Sequence, residues 1–243
     1  MYRISLTLSF FLLWMACQPS QTKSTFKDFV DAYHASYNQL YPSSATLNGD
    51  HSYDYLLEIP DEAHRQAERQ FCQRFLKEGR QLKSEALSPA QATKKQLMLQ
   101  QIEQILSELD SIQSYSSDAS LYHILPAFQT ILAAEDVKPK DRLRVLQRRL
   151  QFVPDYFQAA KQNLRPSANG YEKAIQQSKA SFQWLGQELT AATQQANLPI
   201  SEKQQLFFLI EEARLSIKDF VGFCNSRNID QYQAKKESVR STR

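Results

Sequence analysis

Glycine is scarce in this chain, with 5 among 243 residues, and that scarcity excludes several architectures. A hairpin-rich β fold needs glycine wherever φ must be positive, and a phosphate-cradling loop needs a glycine-rich run that is not found. A surplus of charge is also missing. The formal net charge of +3 is small for this length and implies no general polyanion partner, neither nucleic acid nor an anionic lipid surface. No stretch alternates apolar and polar residues between hairpin turns, and no internal repeat is visible.

The signatures of catalysis are lacking as well. Zinc hydrolysis on a helix needs two histidines one turn apart with a glutamate beside them as general base. His34, His51, His64 and His123 are isolated, none is followed by Glu, and no two lie at a three- or four-residue step. No Gly-x-Ser-x-Gly turn and no cysteine matched to a histidine offers a nucleophile. The sequence therefore names no catalytic residue, no metal ligand and no cofactor of its own.

What is plentiful is Gln, Leu, Ala, Ser and Lys, which are helix formers or neutral to helices. The fold class expected is all-α, an irregular bundle of about seven or eight helices. Thr25 to Leu40 carries Phe26, Phe29, Val30, Tyr33 and Tyr37 at helical spacing. Pro42 ends that helix, and the turn formers from Ser43 to Asp50 make residues 41–60 a long loop. Asp61 caps a second helix to about Ala86, with Ala63, Ala67, Phe71, Phe75 and Leu82 inward and its charges outward. Ser88-Pro89 restarts a helix through Leu97, Leu99, Ile102, Leu106 and Leu109, antiparallel to the one before. Pro126, Pro139 and Pro154 divide the next region into short helices. Asn169-Gly170 opens a long helix through Leu189, and Ser201 caps a last one through Phe220. After Cys224 the chain turns polar and basic, so residues 225–243 read as a disordered tail.

The N-terminus carries the clearest signal. Arg3 supplies a positive start and Ile4 to Ala16 an apolar run too short to span a bilayer, which reads as an export signal over residues 1–16. Leu13-Trp14-Met15-Ala16-Cys17 resembles a bacterial lipobox, with a small residue before a cysteine that becomes diacylated; Trp14 and Met15 depart from the usual pattern. Cys17 is the expected lipidation site and residues 17–24 its polar tether. The expected location is the bacterial cell envelope, anchored to the membrane by lipid and facing the periplasm or exterior. Cys72 and Cys224 lie within apolar helical patterns. They read as buried free thiols, although an oxidising compartment would allow them to pair.

Three spaced motifs carry a family resemblance: Tyr41-Pro42-x-x-Ala45-Thr46-x-x-Gly49; Arg142-Leu143-x-x-Leu146-x-x-Arg149-Leu150-x-x-Val153-Pro154; and Asn163-Leu164-x-Pro166 followed by Glu172-x-Ala174-Ile175. In this order they resemble the N-terminal region of the bacterial family called domain of unknown function 885, over about Phe26 to Phe223, within a helical domain of residues 25–224. The resemblance implies a mostly helical fold and zinc-peptidase candidates whose metal segment lies in a C-terminal half that this chain does not reach. Zinc is thus implied only for that half, and the chain reads as a truncated member without catalysis. Its implied partners are a separate catalytic half, or an envelope protein or peptide held by a stand-alone binding module.

Two surface features remain. Asp50, His51 and Asp54 in the 41–60 loop read first as a turn held by side-chain hydrogen bonds, and by analogy with the family as part of a substrate cleft. Lys138, Lys140, Arg142, Arg144, Arg148 and Arg149 form a basic helix with a leucine stripe. It reads as a solvated charged face, with Arg142 or Arg149 bridging to acidic partners across the bundle.

Overall fold

The structure of the chain, a computed structural model, describes residues 25–83, 87–111 and 113–241. Cys17 and the expected export signal lie outside the described residues. The α-helices are α1 (Phe26–Leu40), α2 (Pro42–Leu47), α3 (Glu62–Gln81), α4 (Pro89–Ser111), α5 (Gln113–Ser117), α6 (Leu125–Ala133), α7 (Pro139–Leu150), α8 (Val153–Asn163), α9 (Tyr171–Trp184), α10 (Thr190–Gln195) and α11 (Ile200–Ser241). Among the described residues eight of these, all but α2, α5 and α10, run to nine residues or more. The class is the expected all-helical one, and an isolated bridge between Asp118 and Asn169 is the β pairing observed.

The helix starts follow local chemistry. Thr25 and Asp28 form a reciprocal capping box at α1, and Asp61 accepts from the His64 N–H at 2.8 Å to start α3. Ser88 and Gln91 exchange side-chain bonds with each other's backbone N–H at α4. Each satisfies N–H groups that a first helical turn leaves unpaired. Proline sits in the first turn of α2, α6, α7 and α8, where its missing N–H costs nothing.

Two apolar cores result. The smaller lies between α1, α3 and α4 and contains Phe29, Tyr33, Phe71, Phe75, Met98 and Ile102. α4 returns antiparallel to α3, because Arg69 reaches the Leu109 carbonyl while Lys95, further back on α4, reaches that of Leu82. The larger core is built from α6 to α11 around Phe128, Leu146, Phe157 and Phe220, each at most 2 % exposed. Burying a Leu or Phe side chain to this extent contributes roughly 1.5–3 kcal/mol. α11 is its spine. It runs beside α7 and then α8, fixed by Arg144 to Glu202 and Lys161 to Asp219, and antiparallel to α9, where Tyr171 meets Phe223. A π-helical turn over Leu185–Leu189 joins α9 to α10.

Several expectations are corrected. The 41–60 segment is no open loop: α2 and a 3-10 turn over His51–Tyr53 occupy it. Ala63, Ala67 and Leu97 face solvent, while Glu68, expected outward with the other charges of α3, is 2 % exposed. Residues 225–241, where a disordered tail was expected, take a helical course as α11 continues unbroken to Ser241. Gln231 ties that extension to the bundle by donating to the carbonyls of Pro166 and Ala168 at 2.9 and 2.6 Å. No described helix is long and apolar enough to cross a membrane.

The basic helix α7 is also only partly a solvated face. Arg144 pairs with Glu202 through two bonds of 2.9 and 3.1 Å, and Arg148 covers the Tyr55 ring at 4.0 Å. Arg149, however, is fully buried. It donates to Ser43 Oγ at 2.5 Å, to the Asp54 carbonyl at 3.1 Å and to Thr46 Oγ1 at 3.4 Å, clamping α2 and the following turn onto the larger core. Arg142 donates to the Leu132 carbonyl. Both guanidinium groups thus reach neutral oxygens where acidic partners were expected, with the Glu58 and Asp54 carboxylates acting on Arg149 only through space.

Candidate functional site

The 41–60 segment crosses from the small core to the large one, and the two cores do not close completely beneath it. A cavity of about 350 Å³ remains, lined by side chains from both sides, including Tyr41, His64, Glu68, Tyr115, Tyr122 and Tyr156. Its placement follows from α3. His64, Glu68, Phe71, Cys72 and Phe75 share one face at helical steps. The last three fill the small core, so the first two are carried past its end into the junction.

Glu68 is the centre of the site. Its Oε1 accepts from the Tyr41 hydroxyl at 2.8 Å and from the Tyr115 hydroxyl at 2.8 Å, with His64 Nε2 at 3.6 Å. Its Oε2 is buried without any hydrogen-bond partner. Burial pushes the Glu68 carboxyl up, but His64 and the two hydroxyls together outweigh burial and hold it below the ordinary glutamate value of 4.5. Burial, and next the charge of Glu68, push the Tyr41 and Tyr115 hydroxyls far above the usual phenol range. They therefore remain donors to the carboxylate at any physiological pH. Burial pushes Tyr122 up to about 12.

The wall around this carboxylate is held by ring contacts and hydrogen bonds. Tyr41 packs against Tyr37 at a 43° tilt with ring centres 4.6 Å apart and meets the His64 ring edge-on at 5.9 Å. Tyr122 donates to the Tyr115 carbonyl at 2.5 Å and receives a bond from Asn163 Nδ2 at 3.2 Å. Asn163 also donates to the Pro60 carbonyl at 2.5 Å and accepts from Arg65 at 3.0 Å. Glu58 is taken by the backbone and hydroxyl of Ser43 at 3.1 and 2.9 Å. Tyr41, Arg149 and Asn163, one from each of the three motifs, thus meet around one segment.

Asp50, His51 and Asp54 lie elsewhere on the same segment and do not line the cavity. Asp50 caps the 3-10 turn by accepting from the Ser52 N–H at 3.0 Å and also accepts from Asn38 at 2.7 Å. His51 Nδ1 stands 2.8 Å from Asp54 Oδ2, and Asp54 accepts from Thr46 Oγ1 at 2.5 Å. Asp50 and Asp54 thus tie the turn to α1 and α2.

The donor set does not suit zinc. Among the described residues no three His, Cys, Asp or Glu side chains gather where they could hold one ion. His64 and Glu68 are adjacent, but the Glu68 oxygen nearest the imidazole already takes two hydroxyls. Cys72 and Cys224 are buried free thiols in separate cores.

Sequence reading missed Glu68, His64 and the tyrosines around them. One signal was present: positions 64 and 68 fall on the same helical stripe as Phe71 and Phe75, so a charged residue stands in register with a buried face.

Comparison with known proteins places this geometry in context. Residues 42–228 match the family described as bacterial protein of unknown function, DUF885. A solved structure of a candidate lipoprotein of unknown function from Shewanella oneidensis superposes with a TM-score of 0.80 at 24 % identity, over 88 % of this chain. This chain spans 39 % of the length of that one. At this identity the likeness carries the fold alone. Among curated proteins none matches.

Proposed function

This chain belongs to the DUF885 family of bacterial proteins, and from that premise we propose that it is a lipid-anchored envelope protein whose helical domain binds a small ligand and performs no chemistry itself. The observation that carries the reading is the junction cavity, where the buried Glu68 carboxylate leaves Oε2 unsatisfied. A buried charged oxygen without a donor costs free energy that a bound molecule would recover. Cavities of this size, mostly apolar with a few convergent polar groups, are the usual form of a ligand site. The Cys17 lipobox and the lipoprotein description of the Shewanella structure support the anchor.

The test is a ligand-observed NMR screen with a library of small aromatic and aliphatic fragments. Saturable binding is expected that Leu121→Trp abolishes without lowering the melting temperature, because Leu121 lines the cavity and is 58 % exposed. A library without one saturable, Trp-sensitive binder overturns the reading. For the anchor, Cys17→Ser is expected to move the protein from the membrane fraction to the soluble one.

A second reading is favoured by the outer face of α11. Phe208, Leu215 and Ile229 follow one another there after seven and then fourteen residues and are 61, 59 and 56 % exposed. Such a stripe suits a packed neighbour. In this reading the neighbour is a polypeptide corresponding to the part of the Shewanella protein that this chain does not match, and the present domain is its non-catalytic scaffold. Mixing with that part produced separately, and finding a one-to-one complex that Phe208→Asp with Leu215→Asp abolishes, would support it; no complex would remove it.

A further inference from the structure

We infer that the junction cavity is specific for a primary ammonium group carried on a small apolar or aromatic body; the inference rests on the ligand-binding reading above. Charge is the first ground. Among the described residues the cavity is lined by Glu58, Glu68 and Glu108 beside His64, and by no lysine or arginine. The guanidinium groups nearby are committed elsewhere, Arg149 to Ser43 and Asp54 and Arg65 to Asn163, Pro60 and Glu62. A low-dielectric recess with a net negative wall favours a cation and rejects an anion.

The second ground is hydrogen bonding. Glu68 is 2 % exposed and its Oε2 lacks a donor. A quaternary ammonium has no N–H to give, whereas a primary ammonium has three. The Tyr41 and Tyr115 hydroxyls spend their protons on Oε1, so their lone pairs are free to accept from the same cation. The third ground is the wall itself. Tyrosine rings surround the carboxylate, and their faces attract a cation while their edges pack its hydrocarbon body. Ile105, Leu109 and Leu121 supply the remaining apolar lining.

The experiment is isothermal titration of the purified protein at pH 7 with three probes that share a phenethyl body: phenethylamine, N-acetyl phenethylamine and phenethyl-trimethylammonium. The expected result is that the amine binds at least about tenfold tighter than either other probe, a difference of about 1.4 kcal/mol. Glu68→Gln is expected to erase the preference. Should that variant melt early, a charge pair at the rim decides instead: Leu121→Lys and Leu121→Glu lose the same apolar contact, and the lysine variant, which brings a competing ammonium, is expected to bind the amine at least about fivefold more weakly than the glutamate variant. Equal binding of the acetylated probe overturns the ammonium inference and leaves the cavity reading standing. Equal binding of the trimethyl probe overturns the hydrogen-bond assignment to Oε2. No binding by any of the three overturns the inference, and a fragment screen that is also blank removes the cavity reading with it.

Discussion

Replacing Arg149 with methionine tests the clamp between the two cores. The side chain is fully buried and gives three hydrogen bonds, to Ser43 Oγ, Thr46 Oγ1 and the Asp54 carbonyl. Burial pushes the guanidinium down from its ordinary range, and Glu58 and Asp54 offset this only in part, yet a group with so high an intrinsic pKa stays charged. Methionine keeps much of the volume but leaves those oxygens without donors and the nearby Asp54 and Glu58 carboxylates without a countercharge. Removing one member of a buried charged network costs about 3–5 kcal/mol. For a domain of this size that corresponds to a fall in melting temperature of about 10 °C. Urea unfolding of Arg149→Met beside wild type measures the loss, and a double-mutant cycle with Asp54→Asn measures coupling, expected at about 1–2 kcal/mol. A loss below about 1 kcal/mol, or additivity within about 0.3 kcal/mol, would refute the reasoning, because it would mean that the guanidinium is replaceable by any side chain of its size.

Further outcomes follow from the same geometry. Glu68 is held below its ordinary value of 4.5 in the fold, so its contribution to stability is present above that pH and is lost as pH falls through the lower folded value; Glu68→Gln should flatten this acid limb in melts taken from pH 6 downward. Gly170→Ala should destabilise by about 2 kcal/mol or more, because φ is +72° and a Cβ would stand 2.0 Å from Asp118 Oδ1, whereas Gly49→Ala, at φ +84° in open space, should cost only about 1 kcal/mol, the left-handed penalty by itself; equal losses in chemical denaturation would contradict this. Burial, joined at Cys72 by the charge of Glu68, pushes the thiols of Cys72 and Cys224 up to about 11 and about 12. Both should resist alkylation at pH 8 in the native state and react fully in urea, and native labelling within minutes would disprove their burial.

Some of this was decided locally and some was not. The sequence by itself determined the class, several helix starts and most of the core, because capping and apolar periodicity act over a few residues; Ser201, read as a cap, lies instead within α11. Asp61, Ser88 and the first-turn prolines work where the pattern put them, and Phe71, Phe75, Ile102, Leu143 and Leu146 are buried as the 3.6-residue stripe requires. The order of the three motifs identified the family, but their physical role was hidden, since Tyr41, Arg149 and Asn163 meet only when α7 and α8 fold back over the 41–60 segment. Periodicity assigns a charged residue outward because that is the cheaper place for it alone. Whether Glu68 or Arg149 is buried depends on partners about fifty to one hundred residues away that supply hydroxyls and carbonyls, and only the tertiary structure brings those together. The helical course of residues 225–241 is decided the same way, since a polar sequence with little apolar pattern continues as helix when it extends one already docked, and Gln231 finds the carbonyls of Pro166 and Ala168.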